Sequence, residues 1–239
     1  MERFQREVLE LRRSQLSRHL PDAALLLDPK RNPIEGEQVF LPFGAIPDLL
    51  IKAVIAAEDP TFFSRNKVER SQYAQSIPRL LAHLLYVLDM HALDRAMKLV
   101  LLEEKELKLL PDEVILGTYE EITKTLLEER VTNTFSKEQI LEIYLNQSFL
   151  GRGTNGVGAA AQRYFGKPVQ NLELHEAAYI AGLLQAPNRY DPVRKPEKAL
   201  ERRNWVIGRM VEHGYIDRKT ADEAKLKPLG SVLVAEGAK

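Results

Sequence analysis

The chain has 239 residues and carries 34 Lys plus Arg against 34 Asp plus Glu, so its formal charge is zero. That balance argues against bulk electrostatic binding to nucleic acid, which needs clustered positive charge, but it allows a local basic groove. There is no cysteine, hence no disulfide and no thiolate metal site, and no apolar run is long enough to expect a membrane span or a signal-peptide core.

Residues 1–19 predict an amphipathic helix with Phe4, Val8, Leu11 and Gln15 at helical spacing. Arg3, Arg6, Arg12, Arg13 and Arg18 make it basic. A membrane-surface helix and an ordinary solvated helix both fit, and the narrow apolar face favours the second. Residues 20–47 hold Pro21, Pro29, Pro33, Pro42 and Pro47 with Gly36 and Gly44. Such punctuation predicts extended chain with short strands at Ala23–Leu27 and Gln38–Leu41. Residues 48–59, DLLIKAVIAAED, predict a buried helix capped by Asp48 and apolar almost all round.

Residues 72–130 predict mostly helix. Leu80, Leu81, Leu84, Leu85 and Leu88 form one apolar face, and Leu93, Met97 and Leu101 another. The charges from Glu103 to Lys108 suit a solvated face. Pro111 marks a break, Glu113 to Arg130 is helical, and the β-branched Val131–Thr134 stretch interrupts it. Ser136 and Gln139 then have capping-box spacing. Ile140, Leu141, Tyr144 and Leu145 follow as one apolar stripe. Gly151, Gly153, Gly156 and Gly158 should break that helix. Ala159–Ala161 should start the next, ending near Gly166.

Three more helices are expected. One covers Leu172–Gln185 and stops before Pro187. One starts at Pro196 and runs to His213, with Gly214 as its C-terminal cap. A short one follows Asp217. The chain thus predicts a mainly α fold with an extended segment near the N-terminus. It divides into an N-terminal helix (1–19), a two-lobed domain (20–227) and a flexible tail (228–239). His83, His91, His175 and His213 have no metal-site spacing, so no metal residue is expected.

The run SKEQILEIYLNQSFLGRGTNGVGAAAQRYFGK, Ser136 to Lys167, resembles the peptidoglycan glycosyltransferases, glycosyltransferase family 51. Members of that family read much like "SKDEILE-YLN---FG-G-YGV-AAA--YFGK". A second element, AVIAAEDPTFF from Ala53 to Phe63, is similar to the family's "A-IA-ED--F". The resemblance resumes from Leu172 through Glu176, Gln185, Ala186, Pro187, Tyr190, Pro192, Arg202 and Arg203. Most of these fit structural roles. It covers residues 20–63 and 120–227.

The resemblance implies a lysozyme-like multi-helix fold. It also implies polymerisation of lipid II into glycan strands by inverting glycosyl transfer, on the outer face of the bacterial cytoplasmic membrane. Its partners would be the lipid-linked disaccharide-peptide, the growing glycan and a membrane surface, with Mg²⁺ or Mn²⁺ near the diphosphate. By the same resemblance Glu58 is the general base, with Asp59 and Phe62 as its substrate-side neighbours. Independently of the family, a carboxylate ending an apolar helix is partly desolvated, which lifts its pKa toward a useful range. The plain alternative is a pair of acids leaving a buried helix for solvent. The family's second acid falls on Glu120 when Leu127–Glu128 is aligned with its "LE", although the spacing to Ser136 is about one helical turn too long. A one-residue shift selects Glu121 and Glu129 instead. Lys137, Arg152 and Lys167 are the basic residues placed by motif to meet the diphosphate.

The middle of the chain departs from the family. No "GGSTITQQL-KN" string is present, and LDMHALDRAMKLVLL, Leu88 to Leu102, stands nearest to it. Arg65, Lys67, Arg70 and Arg79 are substitute phosphate contacts or ordinary surface charges. Two other readings therefore accompany the polymerase: a non-catalytic or redesigned relative acting as a scaffold, and a lysozyme-like glycan-cleaving enzyme.

Overall fold

The computed structural model describes residues 40–65, 77–78, 80 and 127–233. The chain divides into two compact units, residues 1–33 with 78–136 and residues 34–77 with 137–239. The expected N-terminal helix, the expected strand Ala23–Leu27, the expected strand Gln38–Leu41 apart from Phe40 and Leu41, the 81–126 helices and the tail beyond 233 lie outside the described residues.

In the first unit the described chain is helical over residues 127–134. The expected break at Val131–Thr134 does not occur. Thr132 Oγ1 bonds back to the carbonyls of Glu128 (2.9 Å) and Glu129 (3.0 Å), so its hydroxyl is satisfied inside the helix. Val131 is buried, and burial of that side chain outweighs the small helix penalty of a β-branched residue.

The second unit is built from helices, as the sequence predicts, and no strand occurs among the described residues. A 3-10 turn at Phe43–Ala45 leads into α1, Asp48–Glu58. Helices α2 (Lys137–Gln147), α3 (Val157–Phe165), α4 (Leu174–Leu183), α5 (Pro196–Glu212) and α6 (Arg218–Leu226) follow. Asp48 is not the cap of α1. Pro47 takes that position and Asp48 lies in the first turn, pairing with Lys52 at 2.6 Å. Phe40 and Leu41 are not in a strand, yet Leu41 keeps strand-like pairing. Its N–H donates to Asn146 Oδ1 and its carbonyl accepts from Asn146 Nδ2, both at 2.8 Å. Phe43 N–H donates to Glu142 Oε2 at 2.6 Å. Two polar residues on α2 thus fasten the chain that feeds α1.

The core is centred on α4, which is buried along its whole length and packs against α1 and α5. Alanines on α1 and α4 let these helices approach closely, and α1 also packs on α5. Leu50, Val54, Ile180, Leu183, Val206 and Ile207 are fully buried there, each worth about 1.5–3 kcal/mol in transfer from water. The ends of α5 follow the sequence. Pro196 opens it, and Gly214 closes it in a Schellman motif, with Tyr215 N–H on Met210 O (2.9 Å) and Gly214 N–H on Val211 O (3.0 Å). Asp217 caps α6 through Thr220 N–H at 2.7 Å.

Between α2 and α3 the chain makes a tight loop with one isolated bridge, Phe149 to Asn155. Gly156 has a φ of +83° and its missing Cβ would lie 2.5 Å from Asn146 O. No other residue fits that corner. Gly158, expected to help break the helix, lies inside α3 instead.

Candidate functional site

α1 carries its apolar residues into the core and ends at Glu58, so the helix delivers a carboxylate to a position only 6% exposed. Burial pushes the Glu58 carboxyl up to about 7, and the Arg202 guanidinium acts in the opposite direction. Arg202 comes from α5. Its Nη2 stands 3.4 Å from Glu58 Oε1, and its Nε lies 3.4 Å from Gly182 O on α4. Tyr144 on α2 senses the same carboxylate. Burial and the charge of Glu58 hold its phenol well above the ordinary range, so Tyr144 is neutral. A carboxyl group near pH 7 matches what a general base needs, because it is ionised in useful amount yet still binds a proton well.

Asp59, the next residue, has a different environment. It is fully buried, takes two bonds from Arg65 at 2.9 Å each, accepts from Thr61 Oγ1 at 3.2 Å and from Ile77 N–H at 3.3 Å. Its oxygens are committed to organising the turn after α1. Phe62 is 1% exposed and meets Phe63 edge to face, with ring centroids 5.1 Å apart. In this geometry both residues that the sequence places on the substrate side act through the scaffold around Glu58.

Of the three motif-placed basic residues, Lys137 is the one that reaches the turn following Glu58. Its Nζ donates to Phe63 O at 2.9 Å and to Arg65 O. Arg152 has a φ of +52° and makes a two-bond pair with Asp191, both at 2.8 Å. Burial pushes the Asp191 carboxyl up, but the Arg152 bonds and the N–H groups of Val193 and Arg194 together hold it below the usual range. Lys167 bonds Glu176 Oε2 at 2.9 Å, and the same oxygen accepts Glu173 N–H at 2.8 Å at the start of α4. Arg152 and Lys167 therefore tie loops to helices. Glu120, together with Lys67, Arg70 and Arg79, lies outside the described residues.

Among the described residues no three His, Asp or Glu side chains gather as a cation would require. Glu58 and Asp59 face guanidinium groups. These residues present no donor set for Mg²⁺ or Mn²⁺.

The sequence reading did not assign a role at the site to Arg202, and it passed over Trp205. Arg202 Cζ sits 4.1 Å from the Trp205 ring centroid, and Arg209 Cζ lies 5.8 Å from the same ring. The signal was present as Arg202, Trp205 and Arg209 at i, i+3 and i+7, one face of a helix.

The transglycosylase family model matches residues 114–211. Penicillin-binding protein 1A of Rickettsia felis is 36% identical over 221 residues, covering 90% of this chain and 27% of the relative. The penicillin-binding protein 1A of Aquifex aeolicus is 52% identical over 108 residues, covering 45% of this chain and 15% of the relative. That of Escherichia coli is 32% identical over 197 residues, covering 82% and 22%. The chain thus spans about a quarter of the length of the curated relatives it matches. The family match, these relatives and the two sequence elements around Glu58 and Ser136–Lys167 agree: the chain carries a domain of the transglycosylase family, the peptidoglycan glycosyltransferases of family 51.

Proposed function

We propose that the chain polymerises a lipid-linked disaccharide-peptide, lipid II, into glycan strands, with Glu58 as general base. The observation that carries this reading is the placement of Glu58. It is a buried carboxyl at the end of α1, tuned to about 7, with one cation beside it. In the reaction Glu58 takes the proton from a hydroxyl of the acceptor sugar. That oxygen attacks the anomeric carbon of the donor, the bond from that carbon to the diphosphate breaks, and the lipid diphosphate leaves with inversion. Lys137, whose Nζ bonds the carbonyls of Phe63 and Arg65 in the turn after Glu58, keeps its expected part of offsetting charge on the leaving group. Glu120 keeps its expected part as the second acid.

The substrate carries a lipid, so the reaction takes place at a membrane surface, which the family resemblance makes the outer face of the cytoplasmic membrane. No helix among the described residues is long and apolar enough to cross a membrane. The test is incubation of the protein with lipid II, followed by separation of the products by size. Polymer formed by the wild type and absent with Glu58→Gln supports the reading; polymer formed equally by both contradicts it.

A further inference from the structure

We infer that Arg202 is a positioning residue for Glu58 and that the Trp205 ring is the plate that holds it in place. The inference rests on the reading of Glu58 as base and adds a residue to it.

The geometry of the pair carries the argument. Two other Arg–carboxylate pairs in this unit are tight forks: Arg65 with Asp59 at 2.9 Å twice, and Arg152 with Asp191 at 2.8 Å twice. Arg202 meets Glu58 differently, by one nitrogen on one oxygen at 3.4 Å. A fork captures a carboxylate and uses its lone pairs. A single long contact leaves Oε2 free of the guanidinium, while the cation still favours the ionised form. A base needs that combination, because an oxygen already doubly bonded to a guanidinium is a poor proton acceptor.

Arg202 does not depend on Glu58 for its position. Its side chain is only 9% exposed and is held from three other directions. Trp205 lies 4.1 Å below the guanidinium carbon, the Tyr190 ring is 5.7 Å away, and Gly182 O accepts from Nε. Gly182 is what admits it, since a Cβ there would lie 3.0 Å from Arg202 Cγ. Trp205 is 44% exposed, so it contributes less to the core than a Trp can. What its position does provide is a flat face for Arg202, and it touches Arg209, whose Nε reaches Ala56 O on α1 at 3.4 Å. The plate is thereby tied to the helix that bears Glu58.

Among the described residues, Arg202 is the group whose charge offsets the burial of Glu58. Tyr144 on α2 is neutral, Asp59 is taken up by Arg65, and Arg209 is paired with Glu212 and reaches a backbone carbonyl of α1. Tyr190 meets Arg202 through its ring face and bonds Gln185 through its hydroxyl.

The experiment follows the Glu58 carboxyl by ¹³C NMR across pH 4–10 in the wild type, Arg202→Met, Arg202→Lys and Trp205→Leu. Polymerisation kinetics are measured over the same range. Loss of Arg202 should raise the Glu58 midpoint by about one unit or more. It should also lower kcat at pH 7 about fivefold or more, with KM little changed and the rate recovered at high pH. Arg202→Lys should restore part of the shift, and Trp205→Leu should move the midpoint the same way by less. An unmoved midpoint in Arg202→Met overturns the inference, as does a loss of rate equal at every pH. If Arg202→Met does not fold, the Trp205→Leu titration decides by the same criterion. Full activity of Glu58→Gln would instead remove the base assignment, an outcome distinct from an unmoved midpoint.

Discussion

Arg202 Nη2 lies 3.4 Å from Glu58 Oε1, joining two residues 144 positions apart in the sequence. The pair exists because α1 and α5 both pack on α4, which brings the end of one helix beside the face of the other. It places a charge inside the core of the second unit, and that has a thermodynamic consequence.

Glu58 titrates near 7 in the folded chain and near 4.5 when unfolded. A carboxyl whose folded pKa is raised binds more protons folded than unfolded between these values. Stability is therefore lost as pH rises from 4.5 through 7, by on the order of 3 kcal/mol. Glu58→Gln stays neutral and does not share the loss. Its melting temperature relative to wild type should climb between pH 5 and pH 8. A difference constant over that range would contradict the burial argument.

Gly156→Ala should destabilise the chain by about 2–4 kcal/mol, from a strained φ of +83° and a Cβ pressed 2.5 Å from Asn146 O. Asn146 also clamps Leu41, so the damage should spread to the chain leading into α1. Urea denaturation with hydrogen exchange at residues 41–46 measures both.

Arg152→Ala should cost stability before it costs substrate affinity. The residue spends its guanidinium on Asp191, and the pair is partly buried, so the expected loss is about 1–3 kcal/mol. KM for lipid II, measured at a temperature where the variant is folded, should stay within about threefold of wild type. A tenfold or greater rise in KM with unchanged stability would return Arg152 to the diphosphate site.

Arg203 is fully buried and forms no ion pair with a carboxylate among the described residues. It donates to the carbonyls of Lys225, Lys227 and Pro228 at 2.7–3.0 Å, where α6 ends. The negative end of the helix and those carbonyls stand in for a counter-ion. Arg203→Met removes these charge-assisted bonds at a part-buried site and should lower stability by about 1.5–3 kcal/mol, with exchange protection lost first at the end of α6. Stability equal to wild type would show that these carbonyls find other partners.

Much of the helical scaffold was legible because its signals are local. The stripe Ile140, Leu141, Tyr144, Leu145 is buried, Pro196 and Gly214 bound α5, and Asp217 caps α6. Val131–Thr134 was misread because β-branching disfavours helix only weakly, and burial of Val131 with the back-bonded Thr132 overrides it. Asp48 was misread because Pro47 fixes the helix start one residue earlier. Glu58 could be picked out as an acid ending an apolar helix. Its partner could not, because Arg202 is near it only through the tertiary packing of α1, α4 and α5. Arg152 and Lys167 read by motif as cations for the diphosphate, and only the fold reveals Asp191 and Glu176 opposite them.

The most direct test of the central claim is the pH dependence of lipid II polymerisation by the wild type and by Glu58→Gln. The wild-type rate should rise with pH through a midpoint near 7, as the buried carboxyl ionises. The Gln variant should be at least ~100-fold slower and show no such rise. A Gln variant that retains the wild-type rate and the same pH limb would contradict the assignment of Glu58 as the base.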